Sequence, residues 1–243
     1  MIPRLYCDTP LVADGEMDLP LPAAHHAARV LRLESGDEVT LFNGQGGEYA
    51  ARLALVEPRK VVALVLSWRD VERESPLHVT LVQGLASADR MDLAIRKSVE
   101  LGAAAVQPVA TARSVARLDA ERARKRRAHW QQIAIAACEQ CGRNRVPTIG
   151  PLLDFAAWIR ESSRASTSWL LDPEDGSPIG GLPRPASPIE CLVGPEGGLN
   201  THEAEMARAA GFVGVRAGPR VMRTETAGAA VLAAVNALWG DWR

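Results

Sequence analysis

After residue 76 the chain alternates short apolar runs with longer helical stretches, and no other feature constrains its fold as much. Residues 78–83, 105–109, 169–171 and 189–193 read as buried strands. Between and after them, 88–101 (stopped by Gly102), the basic 122–139, 200–210 and 225–239 carry helical patterns. Strands separated by helices join side by side only through crossovers, so the reading is an α/β domain with a parallel sheet. The first third has a different grammar. Val39–Phe42 runs into the turn Asn43-Gly44-Gln45-Gly46-Gly47, and Glu48–Leu55 and Val61–Leu66 follow as further strands. A short helix fits His25–Leu33. This predicts a small β-barrel over residues 1–72, a polar linker over Arg69–Pro76, and a second domain over 76–243. Residues 180–188, rich in Pro, read as a surface loop.

A chain of 243 residues with 47% hydrophobic and 23% charged residues is neither disordered nor fibrous. It can fold without a disulfide or metal staple. No run reaches the ~18–20 apolar residues of a membrane span, and Met1-Ile2-Pro3-Arg4 leads into no signal core. The expected location is the cytoplasm, with no membrane partner. The net charge of −1 conceals an uneven distribution: residues 113–145 hold 9 Lys/Arg against 3 Asp/Glu, whereas 1–75 hold 8 against 12. One basic segment in a neutral chain is the footprint of a nucleic-acid contact or a solvated helix face. Cys138 and Cys141 have the spacing of a metal knuckle, but a second knuckle is missing, and i, i+3 pairs also arise when small residues share a packed helix face. No metal is expected.

The chemistry concentrates in two C-terminal segments. Strand 189–193 ends in Gly194-Pro195-Glu196-Gly197-Gly198, and Asn200 with Glu203 has capping-box spacing for the next helix. Such strand–turn–helix junctions are where α/β sheets bind ligands. The spacing is neither that of a dinucleotide fingerprint nor that of a P-loop, and Glu196 would repel a pyrophosphate. The ligand is therefore neutral or cationic, or the turn is merely a tight connection. In the second segment, Gly218 to Ala227, Arg220, Arg223 and Glu225 crowd one turn before the last helix, with Thr224 its predicted N-cap. Glu225 also sits where a helix dipole favours an acid.

Together these segments resemble the SPOUT superfamily of S-adenosylmethionine-dependent RNA methyltransferases, and within it the RsmE family. The resemblance extends to His26, Val30-Leu31-Arg32, Leu41-Phe42-Asn43-Gly44, Lys97 to Gly102 and Gln132 to Asn144. Met222 stands where the family usually has Leu, a volume-conserving exchange. Near Ser87-Ala88 the family often has an extra basic residue; here only Arg90 remains. The resemblance implies a PUA-like RNA-binding barrel followed by a SPOUT α/β domain with a trefoil knot, working as a homodimer. It implies methylation of N3 of a specific uridine in 16S rRNA, free or in the assembled small subunit. Alternatives are another RNA such as tRNA, or a non-catalytic ribosome assembly factor. The implied S-adenosylmethionine site is Leu170, Leu171, Val193, Gly194, Pro195, Glu196, Gly197, Gly198, Gly218, Pro219, Val221, Met222, Arg223, Glu225 and Thr226, with Leu170 and Leu171 on the adenine side. Arg223 is the candidate stabiliser of the uracil oxyanion and Glu225 the candidate proton acceptor. Candidate RNA contacts are Arg32, Arg90, Lys97, Arg113, Arg124, Lys125, Arg126, Arg127, Glu139, Gln140 and Arg143, with Arg117, Arg122 and Arg145 in the same basic segment.

Overall fold

A computed structural model describes residues 2–115, 118–161, 167–186 and 188–242. The chain divides into two compact units, Met1–Glu74 with Ile135–Val146, and Ser75–Ala134 with Pro147–Arg243. The first unit thus takes in a piece of chain from well beyond residue 72.

In the first unit, β1 (Arg4–Tyr6), β2 (Gly15–Asp18), β3 (Glu38–Phe42), β4 (Glu48–Glu57) and β5 (Lys60–Arg69) form one sheet in the order β1-β3-β4-β5-β2. Only the β1–β3 pairing is parallel. Alternate residues of the strands, among them Leu5, Val39, Leu41, Leu53, Ala63 and Val65, fill a single core. Register shifts at Ala50/Ala51 and Leu53/Leu55 interrupt the β4–β5 ladder, and such bulges bend a strand round its core. The helix predicted over His25–Leu33 lies earlier, as α1 (Leu21–His25) and a π-turn (His26–Val30). Pro22 in its first turn favours the earlier start, and the left-handed Arg32 (φ 55°) cannot continue a helix. The sequence reading did not find β1 or β2, which are only three and four residues long.

The predicted linker, largely exposed, is tied by ion pairs and a hydrogen bond to residues 142–145. Arg145 pairs with Glu72 at 2.6 Å, Arg143 pairs with Glu74, and Arg73 donates to the Gly142 carbonyl at 2.9 Å. These partners lie about 70 residues apart in sequence, so the local charge run gave no hint of them. At the centre, buried Glu48 accepts from Arg4 (2.6 Å) and Arg73 (3.2 Å), with Arg69 at 3.1 Å. Burial alone would raise the Glu48 carboxyl, but the hydrogen bonds and charges of Arg4 and Arg73 outweigh it and hold it below the ordinary carboxylate range.

In the second unit, β6 (Val79–Gly84), α2 (Ala88–Glu100), β7 (Ala105–Ala110) and α3 (Ala120–Cys141, as far as Ala134) come first. Then follow β8 (Thr148–Ile149), β9 (Leu153–Asp154), α4 (Phe155–Glu161), β10 (Thr167–Leu171), β11 (Ser177–Pro178), β12 (Ile189–Val193), α5 (Thr201–Ala209), β13 (Val213–Arg216) and α6 (Thr224–Trp239). A single 3₁₀ turn, Ile179–Gly181, opens the Pro-rich loop. The sheet runs β11-β13-β10-β12-β6-β7-β8, β9 also pairs with β7, and every pairing is parallel. The predicted parallel α/β sheet is present. Val82, Val109, Leu170 and Leu192 carry its core against Phe155, Trp158, Ile159 and Phe212. Strand β12 lies between β10 and β6, so the carboxyl ends of β13, β10 and β12 stand side by side. Among the described residues no helix is long and apolar enough to cross a membrane.

Glu48→Gln removes the negative charge that three arginines share and replaces one acceptor oxygen with an N–H donor. A buried pair broken on one side costs roughly 3–5 kcal/mol, and urea unfolding should show a loss of that size. Because the folded carboxyl titrates low, its contribution is complete above the ordinary carboxylate value of 4.5 and is lost as pH falls below it. The Gln variant should therefore show less acid sensitivity between about pH 5 and pH 3.

Candidate active site

The carboxyl ends of β10, β12 and β13 open into a cleft of about 650 Å³. It is lined by Leu170 and Leu171 with residues 172–175, by Val193 to Thr201, and by Val215 to Gly218 with Arg220 to Thr224. Two segments separated in sequence thus share one cavity. Of the fifteen candidate donor residues, Leu170, Leu171, Val193, Gly194, Pro195, Glu196, Gly197, Gly198, Gly218, Val221, Met222 and Arg223 line it. Pro219, Glu225 and Thr226 are not part of the lining.

The Gly194–Gly198 loop is seated by close approach and by buried hydrogen bonds. A Cβ at Gly84, the last residue of β6, would stand 2.6 Å from the backbone N of Pro195, so only glycine lets the loop come this close. Thr224 donates its hydroxyl to the Gly194 carbonyl at 2.6 Å, and fully buried Gln83 donates to that hydroxyl at 2.8 Å. Thr224 was the predicted N-cap of α6, but Arg223 holds that position and the threonine hydroxyl serves the loop. Gln83 and Gly84 escaped the sequence reading, because their partners lie more than a hundred residues away and no local pattern marks them. The predicted capping box is present: Asn200 Oδ1 accepts from Glu203 N, and Glu203 Oε2 accepts from Asn200 N.

Glu196 turns its carboxylate to the start of α2. Its Oε1 accepts from Ser87 N at 2.9 Å and faces Arg90 Nη1 at 3.2 Å. Partial burial opposes its charge, yet these contacts hold the carboxyl below the ordinary range. Glu225 faces the same guanidinium, with Oε2 at 3.9 Å from Arg90 Nε.

Six arginines line the cleft and fall into two groups. Arg90 is held by Glu196, Arg208 by Asp172 at 2.5 Å, and Arg113 donates to the carbonyls of Gly197 (2.8 Å) and Leu199 (3.4 Å). Arg216, Arg220 and Arg223 form no ion pair within the described residues, and Arg220 and Arg223 are exposed. The cleft lining thus includes these three cations together with the acidic Glu174 and Asp175.

The remaining RNA candidates scatter. In the second unit Arg124, Lys125, Arg126 and Arg127 are exposed on α3, Lys125 pairing with Glu121 and Arg127 donating to the Ile149 carbonyl. Arg122 pairs with Asp119 and Lys97 with Glu100. Arg117 lies outside the described residues. In the first unit Arg32 and Gln140 are exposed. Arg143 and Glu139 belong instead to the interior of that unit. Arg143 is 4% exposed and bound to Glu74, and Glu139 accepts from Tyr6 N at 3.0 Å beside His26 at 3.2 Å. Burial pushes the Glu139 carboxyl above its ordinary range, against the pull of Tyr6 N–H, His26 and Arg4. Both side chains are thus engaged by partners within this unit. Among the described residues no group of three or more His, Cys, Asp or Glu is arranged to hold a metal. Burial pushes the Cys138 thiol up to about 12.

Comparison with known proteins gives this cleft a context. Residues 73–236 match a model of the RNA methyltransferase domain, and residues 22–66 match one of the RNA methyltransferase PUA domain. Ribosomal RNA small subunit methyltransferase E of Bacillus subtilis is 33% identical over 221 residues, covering 87% of this chain and 86% of that protein. The chain belongs to the ribosomal RNA small subunit methyltransferase E family. Its counterpart in Buchnera aphidicola (Schizaphis graminum) is 29% identical across 99% of this chain and 98% of that protein. A crystal structure of the Neisseria gonorrhoeae family member, bound to S-adenosyl methionine, superposes with a TM-score of 0.95, at 40% identity and full coverage of both chains. Membership makes the second unit an RNA methyltransferase domain and puts a PUA domain in the first.

The seating of the loop can be tested without substrate. Thr224→Val leaves the Gly194 carbonyl without its donor, at a cost of roughly 2 kcal/mol. Calorimetry should show a fall in the melting temperature of about 6 °C, which Thr224→Ser should largely avoid.

Proposed function

We propose that this protein transfers a methyl group from S-adenosylmethionine to N3 of one uridine in 16S ribosomal RNA of the small subunit. The observation that carries the reading is the single cleft in which the Gly194–Gly198 loop and the Gly218–Arg223 segment meet at the carboxyl ends of parallel strands. The cleft suits the donor. Its volume lies within the ~300–1,000 Å³ usual for small-molecule sites. Leu170, Leu171, Val215 and Met222 offer apolar surface to a flat base, and Glu174 and Asp175 offer acceptors to hydroxyls. Gly218 (φ 89°) leaves open the space that a Cβ would fill, its nearest neighbour being Arg220 at 4.0 Å. In the proposal the cleft residues named above hold the donor, which supplies an activated methyl group on a sulfonium centre.

The protein's part is to position and to stabilise charge. Uracil N3 carries a proton at neutral pH, and its loss puts negative charge on O2 and O4. Arg223, exposed on the cleft wall and free of an ion pair, is the group that meets that charge. Glu225 faces Arg90 rather than the cavity, so its part is to hold that guanidinium, and solvent takes the proton. N3 is paired in a duplex, so the target uridine enters the cleft unpaired or flipped out. The exposed cations of α3, with Arg216 and Arg220, engage phosphates. The proposal includes the trefoil knot, a homodimer and action in the cytoplasm. It divides the chain into an RNA-binding domain over 1–72 and a catalytic domain over 76–243.

The test is to incubate small ribosomal subunits lacking the modification with the protein and methyl-labelled S-adenosylmethionine, then digest the RNA. Label should appear in 3-methyluridine at one position; label in another nucleoside or only in transfer RNA would overturn the reading. Arg223→Ala should lower kcat about 100-fold and disturb donor affinity far less.

A further inference from the structure

Arg90 and Arg113 read as RNA contacts in the sequence, yet both are turned onto the same loop, Arg90 at Glu196 and Arg113 at Gly197 and Leu199. Arg90, in the first turn of α2, reaches Glu196 at 3.2 Å. Arg113, in the turn after β7, donates to the carbonyls of Gly197 and Leu199. A Cβ at Gly197 would stand 3.1 Å from Arg113 Cβ, so the arginine stem lies directly against the loop backbone. Arg90 also faces Glu225 on the first turn of α6, whose Oε2 is buried and makes no hydrogen bond. It therefore stands between two carboxylates on separate elements. Behind Arg113, Glu203 Oε1 accepts from Ala112 N at 2.7 Å, while Glu203 Oε2 accepts from Asn200 N at 2.9 Å. This second link ties the Arg113 turn to the start of α5.

We infer that Arg90 and Arg113 form a clasp that fixes the Gly194–Gly198 loop in its donor-binding shape, and that they set donor affinity rather than RNA affinity. This rests on the reading that the loop binds S-adenosylmethionine. The physical argument is one of commitment and restraint. A guanidinium drawn onto a carboxylate or onto two carbonyls is oriented toward the loop, and swinging out to a phosphate would break those contacts. A turn rich in glycine has many backbone states available, and restraining it before the ligand arrives removes part of the ordering cost of binding. The clasp acts on the loop from beyond the ends of β6, which neighbours β12 in the sheet, and β7, the next strand over. Both arginines are positioning residues in this account.

The test compares the full-length protein with Arg90→Met, Arg113→Met, Arg90→Lys, Arg113→Lys, Glu196→Gln and the double variant Arg90→Met/Glu196→Gln. S-adenosylmethionine affinity is measured by calorimetry, well below each variant's melting temperature. Affinity for small-subunit ribosomal RNA is measured across a salt series. The Met variants should weaken donor binding roughly 10- to 100-fold, the range for losing a charge-assisted hydrogen bond. RNA affinity and its salt dependence should stay within twofold of the wild type. The Lys variants should recover part of the donor affinity, which a general loss of stability would not do. Glu196→Gln should match Arg90→Met, and the double variant should be no worse than either single one, because all break one link. Unchanged donor affinity with a shallower salt slope would make the arginines phosphate contacts and overturn the clasp. Additive losses in the double variant would overturn it for Arg90. Should Arg90→Met fail to fold, Glu196→Gln and Arg90→Lys decide the matter alone. Absence of donor binding by the wild-type protein would defeat the underlying reading and the clasp together.

Discussion

The second unit depends on how closely the loop after β12 approaches the end of β6. Those strands are hydrogen-bonded neighbours, so the loop leaving Val193 must pass over Gly84, and a side chain there would occupy the place of Pro195. Once seated, the loop carbonyl at Gly194 needs a donor, and the Thr224 hydroxyl supplies it from the first turn of α6. That hydroxyl is oriented in turn by Gln83, the residue before Gly84. A closed set of contacts thus fixes strand end, loop and helix start relative to one another. The cleft is the space left on the open side of that arrangement.

Charge is partitioned by the same logic. Buried Glu48 and half-buried Glu196 are stabilised by cations and N–H groups brought from distant parts of the chain, which keeps them ionised despite the cost of desolvation. Arginines used in this way include Arg143, Arg208 and Arg90. Arg216, Arg220 and Arg223, which form no ion pair among the described residues, line the cleft together with Arg113, which bonds to carbonyls. A count of basic residues along the sequence cannot separate the two groups. The overall charge near zero follows from structural pairs as much as from any preference for partners.

Much of this was legible in the sequence because it is local. The helix–strand alternation after residue 76 follows from periodic burial, which each segment expresses by itself. The capping box at Asn200 and Glu203 is complete within four residues, and the glycine turn after Val193 marks a strand end wherever it occurs. The family pattern across the two C-terminal segments predicted that they work together, and the cleft contains both. Short elements such as β1, β2, β8 and β9 were invisible, since two to four residues carry no measurable period.

The sequence by itself determined the class of fold, the place of the glycine loop and the residue types available to the cleft. The tertiary structure alone decided which of those side chains remain available. Arg143 and Glu139 read as partners for RNA until their burial against Glu74, Tyr6 and His26 is seen. Arg90 and Arg113 read as phosphate contacts until they are found holding the loop. The reason is physical. Secondary structure is set by neighbours within a few residues, whereas a hydrogen bond or ion pair is set by whichever group the fold brings within about 3 Å. In this chain those groups commonly come from about 70 to 140 residues away.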